Sequence, residues 1–535
     1  MWIILTGSSR HDSDSLSFML KCLFVIAGLL LTGCMVGPDY HEPCKPILNQ
    51  WKIDNDSVSE QPFENGKWWN VFHDNVLSQL IYEGYLGNLT LQSTGVKVLQ
   101  ARAQLAQSVG ELYPQQQNMV GNLTYYRIGG SQFQSLLPPY FATDMLGLTA
   151  NWELDFWGKY RRAIQSNDAS FLASIAAYDN ALVTLTSDIA SVYIKIRTIE
   201  EQIKITKANI KVQTIGLDIA KARYNAGEVS LVDVEQALTE LSETQAKLPQ
   251  YNSELQKQKD ALSLLLGMVP NQLDCLLSLQ HGIPEAPVSV AVGIPIETIA
   301  SRPDIRQSRL EAVAQSELIG ATKANLFPAL SLSGTFAFTS NNIGKSSLGD
   351  LFEWANRMYT AGPGFNWPIL NYGQITNSVR VQDAVFQEAL LNYINAVLKA
   401  QQEVQDNITA FIEAKIAVDY LSEANRAAIK TLQLALIRYR EGESDFTPVL
   451  NAEQQQLRVQ SSLTTAQGDV PLALVSLFRS LGGGWEISNG DDVIPDNIKC
   501  EMLKRTDWGT LLRQENHEVP DNVWQSFEQL YLPNW

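Results

Sequence analysis

The one residue whose setting spells out a reaction is Cys34. It ends Leu31-Thr32-Gly33-Cys34, an apolar residue, two small ones and a thiol, directly after the apolar run from Cys22 to Leu31. This has the form of a lipobox. The small residues leave the backbone open to a peptidase, and the thiol accepts a diacylglyceryl group before cleavage. The run follows the short basic start Met19-Leu20-Lys21 and has signal-peptide length, too short to span a bilayer as a helix. Residues 1–33 are therefore expected to be a signal peptide. Within them, residues 1–18 carry His11, Asp12 and Asp14, which are not signal-like, so translation is expected to begin at Met19. Several acyl chains together would anchor the protein firmly, at roughly 0.8 kcal/mol per buried methylene.

No other grouping carries chemistry. Cys44, Cys275 and Cys500 lie far apart in sequence, with neither metal-ligand spacing nor a disulfide framework. His73 and His281 read as ordinary polar residues, and Asp39 and Asp155 have no evident catalytic partner. An enzyme is not expected, nor any cofactor beyond the covalent lipid on Cys34. The formal charge of −17 argues against a nucleic-acid surface, which needs clustered Lys and Arg to displace counterions. The single continuous apolar run lies in the signal. A mature chain held in a membrane must then use a β-barrel or a lipid.

The elements that fill the remaining length come in two copies. Trp152 to Gly158 aligns with Trp367 to Gly373 at an offset of 215 residues. At the same offset Tyr178 meets Tyr393, Arg223-Tyr224 and Gly227 meet Arg438-Tyr439 and Gly442, and Gly267 meets Gly482. Upstream, Tyr113-Pro114 meets Phe327-Pro328 at 214. An ungapped match of this length is an internal duplication.

Each copy holds a long helix. Gln374 to Glu441 contains neither Gly nor Pro, and Lys159 to Asn225 only Gly216. Sixty-odd residues at 1.5 Å each make a rod of about 100 Å, a length suited to a coiled coil or a duct wall. Ile189, Val192, Ile196, Ile199, Ile203 and Ile210 follow a/d spacing, as do Val404, Phe411 and Val418 at the 215 offset, with Leu421 in the same register. Gly227 and Gly442 end the rods with left-handed caps and a sharp turn. New helices then begin. Ser230 with Asp233 reads as a capping box, and Thr447 before Pro448 as N-cap and first-turn proline. The hairpins are expected over residues 159–266 and 374–481.

Strands precede each hairpin. Leu330, Leu332, Phe336 and Phe338 alternate with Ser331, Ser333, Thr335 and Thr339 over about ten residues, enough for a tilted strand to cross a membrane. The counterpart Asn122 to Arg127 is aromatic and shorter. Second strands are expected near Asp144–Leu154 and Arg357–Ile369.

With these features in place, the sequence resembles the TolC superfamily of outer-membrane efflux proteins, in its lipoprotein (NodT-type) branch serving resistance-nodulation-division pumps. The motifs are Gly37-Pro38-Asp39-Tyr40 after the lipobox and Trp68-Trp69-Asn70-Val71-Phe72-His73-Asp74 with Leu77 and Leu80. Trp152-Glu153-Leu154-Asp155 with Gly158, Arg302-Pro303-Asp304-Ile305-Arg306, Gly362-Pro363 with Trp367-Pro368-Ile369, and Arg438-Tyr439 with Gly442 complete the set. They run in the family's order from the lipobox to about Trp485.

The resemblance implies an α+β membrane protein that is a homotrimer. Each chain would give four strands to one twelve-stranded outer-membrane barrel, continued by a periplasmic helical barrel ending at Gly227 and Gly442. It implies a passive exit duct for drugs or other small toxic compounds, fed by an inner-membrane pump through a periplasmic adaptor. The division expected is signal 1–33, anchor and equatorial segment 34–115, repeats 116–281 and 282–484, and an extension 485–535 whose Trp508, Trp524 and Trp535 suggest a surface wrap. Where relatives place an Asp that closes the tunnel tip, this chain has Asn451. Glu443, Asp445 and Glu453 are nearby acids that could form the selectivity ring in its stead. A protein-secretion duct and a pore-free coiled-coil lipoprotein are the alternatives.

Overall fold

The structure is a computed structural model that describes residues 35–53, 57–61, 66–129, 138–344, 346–488 and 490–512. The signal, Cys34, Trp524 and Trp535 lie outside the described residues. The helices are α1 (Asn75–Gly87), α2 (Leu89–Gly110), α3 (Lys159–Asn225), α4 (Leu231–Leu265), α5 (Asp274–Leu277), α6 (Pro295–Ser301), α7 (Pro303–Ala324), α8 (Gln374–Arg440), α9 (Thr447–Ser480) and α10 (Asp496–Leu503). The strands are β1 (Val58–Ser59), β2 (Gln116–Arg127), β3 (Tyr140–Leu154), β4 (Val290–Ala291), β5 (Ala329–Asn341) and β6 (Arg357–Asn366).

Four long strands form one antiparallel sheet in the order β2-β3-β5-β6. The two repeats meet at its centre, where β3 pairs with β5 from Thr143↔Asn341 to Leu154↔Leu330. Gly147 permits this join: a Cβ there would lie 2.4 Å from the Cβ of Ala337. β2 and β6 are edges and almost wholly exposed. β2 begins six residues before the expected Asn122. Its first half, Gln-Gln-Asn-Met-Val-Gly, has no apolar alternation, because no core lies on either face of this part of the sheet. Short parallel β1 and β4 tie Val58 to Val290.

Each sheet half runs into a rod of 67 residues, α3 or α8, started by a left-handed glycine, Gly158 at φ 76° or Gly373 at φ 81°. The rods turn back as α4 and α9. Both return helices continue through an internal proline, Pro249 and Pro471. Of the expected seam, Ile189, Ile196 and Ile203 are buried, and so are Val404 and Phe411. The largest core sits at mid-height. There Trp68, Trp69 and Phe72 pack with Phe478, the Trp68 and Phe478 ring centroids being 5.2 Å apart. Asp74 caps α1 through Leu77 N at 2.9 Å and accepts the Tyr193 hydroxyl at 2.7 Å. Arg302 crosses from the start of α7 to donate to Ser480 O, at the end of α9.

The terminal segments occupy matching places on the two repeats. On the second repeat, residues 42–53 lie along α8: Tyr393 donates to Glu42, and Gln401 and Gln405 accept from the main-chain N–H groups of Leu48 and Lys52. On the first, residues 490–512 lie along α2 and α3. Val493 packs against Gly95 beside Tyr178, the counterpart of Tyr393, and Arg102 donates to Leu511 O at 2.9 Å. Trp508 rests on the core from this segment. No helix among the described residues is long and apolar enough to cross a membrane.

Candidate functional site: the paired hairpin tips

Both rods end on the same local chemistry. At the first turn Gly227 sits at φ 78°, with Glu228 N donating to Arg223 O at 2.9 Å. At the second, Gly442 sits at φ 78°, with Glu443 N donating to Arg438 O at 2.9 Å. These bonds close the last helical carbonyls, and the positive φ suits glycine because no Cβ opposes it. The helices after the turns start differently from expectation. Ser230 accepts from Val232 N at 3.1 Å, without the reciprocal Asp233 bond of a capping box. Thr447 is the first helical residue and not the cap. The preceding Phe446 is in right-handed conformation and is buried edge-on against Tyr439, so apolar packing holds this start.

The two tips clasp each other through one arginine. Arg223 donates Nη1–H to Tyr439 O at 2.6 Å, and its guanidinium lies 4.7 Å from the centre of the Tyr439 ring. Its Nε also pairs with Glu228 at 3.1 Å. The repeat counterparts are unused: Arg438 and Tyr224 are both exposed. The sequence showed the Arg-Tyr-x-x-Gly pair twice but gave no sign of which copy would reach across.

The candidate gate residues separate into two groups. Glu443, Asp445 and Asn451 are exposed, Glu443 pairing only loosely with Arg438 at 3.7 Å. They are free to face a lumen or a partner. Glu453 is not: it is 4% exposed and faces inward between α3 and α9, where a Cβ on Gly216 would be 3.2 Å from its Oε1. Its expected place in a lumen-facing ring is therefore corrected. One helical turn from Gln456 and Leu457, it shares their buried face of α9, whereas Asn451 lies on the exposed one. Burial, with the charge of Glu240 beside it, pushes the Glu453 carboxyl up to about 7.

Above the clasp, the seam between α3 and α9 is polar. Gln202 donates to Ser461 O at 2.9 Å, Asn209 donates to Gln460 Oε1 at 2.8 Å, and Thr198 packs on Gly468. Within the turns, by contrast, Leu217, Val234, Leu241, Leu432 and Val449 make an apolar cluster. The two hairpins are thus joined by an apolar cluster of both at the tips and by amides and hydroxyls in the α3–α9 seam above it.

Known proteins share this architecture. The model of the outer membrane efflux protein family matches residues 80–268 and again 294–483, one match per repeat. Nodulation protein T of Rhizobium leguminosarum bv. viciae is 29% identical over 463 residues, covering 85% of this chain and 92% of the relative. The probable outer membrane lipoprotein SilC of Salmonella typhimurium is 25% identical over 478 residues, covering 88% and 99%. The solved outer-membrane channel OprN superposes with a TM-score of 0.78 at 28% identity, covering 85% of this chain and all of that one. Two matched repeats, a four-stranded sheet and two rod-length hairpins together place the chain in the outer membrane efflux protein family.

Proposed function

We propose that three copies of this chain close into a passive exit duct, with the sheets forming a twelve-stranded barrel in the outer membrane and the hairpins a tunnel into the periplasm. The observation that carries the reading is the unequal packing of the two rods. α3 packs on α2, α4, α7 and α9, while α8 packs on α7 and α9. By the repeat, α8 lacks an α2-type and an α4-type neighbour, and a following copy supplies both. The edges β2 and β6 ask for the same closure, since a row of unpaired backbone groups cannot face lipid. A closed ring of this kind leaves no edges.

A lipid on Cys34 fits the geometry of the N-terminal segment. The first described bond after it, Val36 N to Trp157 O at 3.1 Å, fixes the chain at the junction of sheet and rod, next to the membrane surface in this reading. The tips would close the duct at rest and meet a periplasmic adaptor, which couples them to an inner-membrane pump. Drugs or other small toxic compounds are the expected cargo. No catalytic step is assigned. The test is expression in a bacterium stripped of its own efflux channels, together with a periplasmic adaptor and an inner-membrane resistance-nodulation-division pump. Restored resistance to small toxic compounds supports the reading. Sensitive cells that contain folded, outer-membrane-located channel would overturn it.

A further inference from the structure

Three acceptor oxygens near the tips have no donor. They are Glu453 Oε1 and Gln456 Oε1 on α9 and Gln213 Oε1 on α3, in residues 9% exposed or less. Gln213 Nε2 and Gln454 Nε2 both donate to Glu240 of α4, at 3.4 and 2.9 Å. Glu240 itself is 6% exposed. The layer therefore holds two buried carboxyl groups, spare acceptors and no basic partner. Facing Glu453, α3 presents Gly216 and Gln213, α4 presents Glu240, and α8 contributes the apolar Leu432 to the cluster at this height. Among the described residues, the charged group that acts on Glu453 is Glu240. A buried acceptor without a donor is costly, and a second buried carboxylate beside it more so.

We propose that the layer of Gln213, Gly216, Glu240 and Glu453 is a proton-binding site that latches the two hairpins of one chain together near their tips. A proton on Glu453 turns an unpartnered acceptor into a donor and removes the repulsion from Glu240. Loss of that proton leaves two carboxylates facing each other in the seam between the hairpins, and the seam loosens. Gly216 is the one break in the run from Lys159 to Asn225, and it makes room for the carboxyl head.

The sign follows from the direction of the shift. Packing raises the Glu453 carboxyl from the ordinary 4.5 to about 7. The latch is therefore fully formed at low pH and is lost as pH rises through about 7, the reverse of a salt-bridged carboxylate. Between pH 6 and pH 8 the opening equilibrium should shift about tenfold, the factor one group of this pKa supplies when its open-state value is ordinary.

The function of such a latch rests on the reading that the tips are the closing end of a duct, but its test does not. Hydrogen exchange of the purified full-length protein is followed at pH 6, 7 and 8, corrected for intrinsic exchange rates. Segments 209–220 and 449–460 should lose about tenfold in protection across that range. Glu453→Gln, which keeps the shape and a donor, should hold both segments at the pH 6 protection throughout. A flat wild-type profile overturns the proposal without any variant, and so does a Glu453→Gln protein that keeps the wild-type dependence. Failure here would leave the exit-duct reading standing, and failure of resistance in cells would leave the latch standing.

Discussion

The two repeats share a length, a start signal and a turn, yet α3 and α8 live in different surroundings. Tyr178 and Tyr393 are both buried, as are Ile189 and Val404, and Ile196 and Phe411. Elsewhere the pairs part. Ala176 is fully buried and its counterpart Leu391 is 58% exposed; Val183 is 3% exposed and Leu398 is 47% exposed. α3 is the mast inside one chain. α8 carries Val381, Val385, Leu391 and Leu398 in the open. Exposed apolar residues repeated along one rod mark a face awaiting a neighbour. The proposed ring explains why: when duplicated chains close into a ring, each interface between repeats occurs once inside a chain and once between chains. One of the two must look unfinished in a single copy.

The largest break in this comparison should come from a charge placed at twin positions. Val183→Asp buries a carboxylate without a partner and should cost about 4 kcal/mol or more, so that no folded protein is recovered. Leu398→Asp should leave the single-chain fold within about 0.5 kcal/mol and act on assembly alone. Thermal melts and particle size on the same preparations separate the two effects. Equal damage at both positions would erase the distinction between the rods.

A second contrast uses Arg162 and its counterpart Asn377. Arg162 donates to Glu317 at 2.5 Å with both side chains almost fully buried, and to Asp39 at 2.8 Å. Arg162→Ala strands a buried carboxylate and should cost about 3–5 kcal/mol in a denaturant melt. Asn377 is exposed, and Asn377→Ala should be close to neutral.

A smaller difference is expected at the tips. Arg223→Ala removes the bond to Tyr439 O and the contact with its ring, a loss of about 1–3 kcal/mol confined to the tip. Arg438→Ala removes only an exposed, loose ion pair and should cost less than about 0.5 kcal/mol. Hydrogen exchange across residues 436–446 reads both. If Arg438→Ala loosens that segment as much as Arg223→Ala, the clasp is not the asymmetric contact described above.

The backbone of this comparison was legible in the sequence, and its side chains much less so. The duplication, the rods and the turns rest on Gly, Pro and heptad spacing, which act locally. Lys159 and Gln374 are therefore read correctly as helix starts. The β5 alternation is visible because Leu330 to Thr339 separates two faces. The first half of β2 is not, because a strand exposed on both sides needs no pattern. Glu453 reads like its neighbours Glu443 and Asp445 in sequence. Only the register of α9 against Gly216 of α3 turns it inward, and that register is a tertiary fact. Arg223 and Arg438 are equivalent by motif, and nothing local says which one reaches across. The terminal segments likewise gain their places from contacts remote in sequence: Glu42 meets Tyr393, 351 residues on, and Val493 packs beside Tyr178, more than 300 residues back.

The central claim is that the unfinished face of α8 and the open edges β2 and β6 are completed by copies of the same chain. The mass of the detergent-solubilised, full-length particle by light scattering, corrected for bound detergent, tests this most directly. Three chains per particle is the expected result. A well-folded particle of one chain, stable with β2, β6 and the apolar row of α8 exposed, would contradict it.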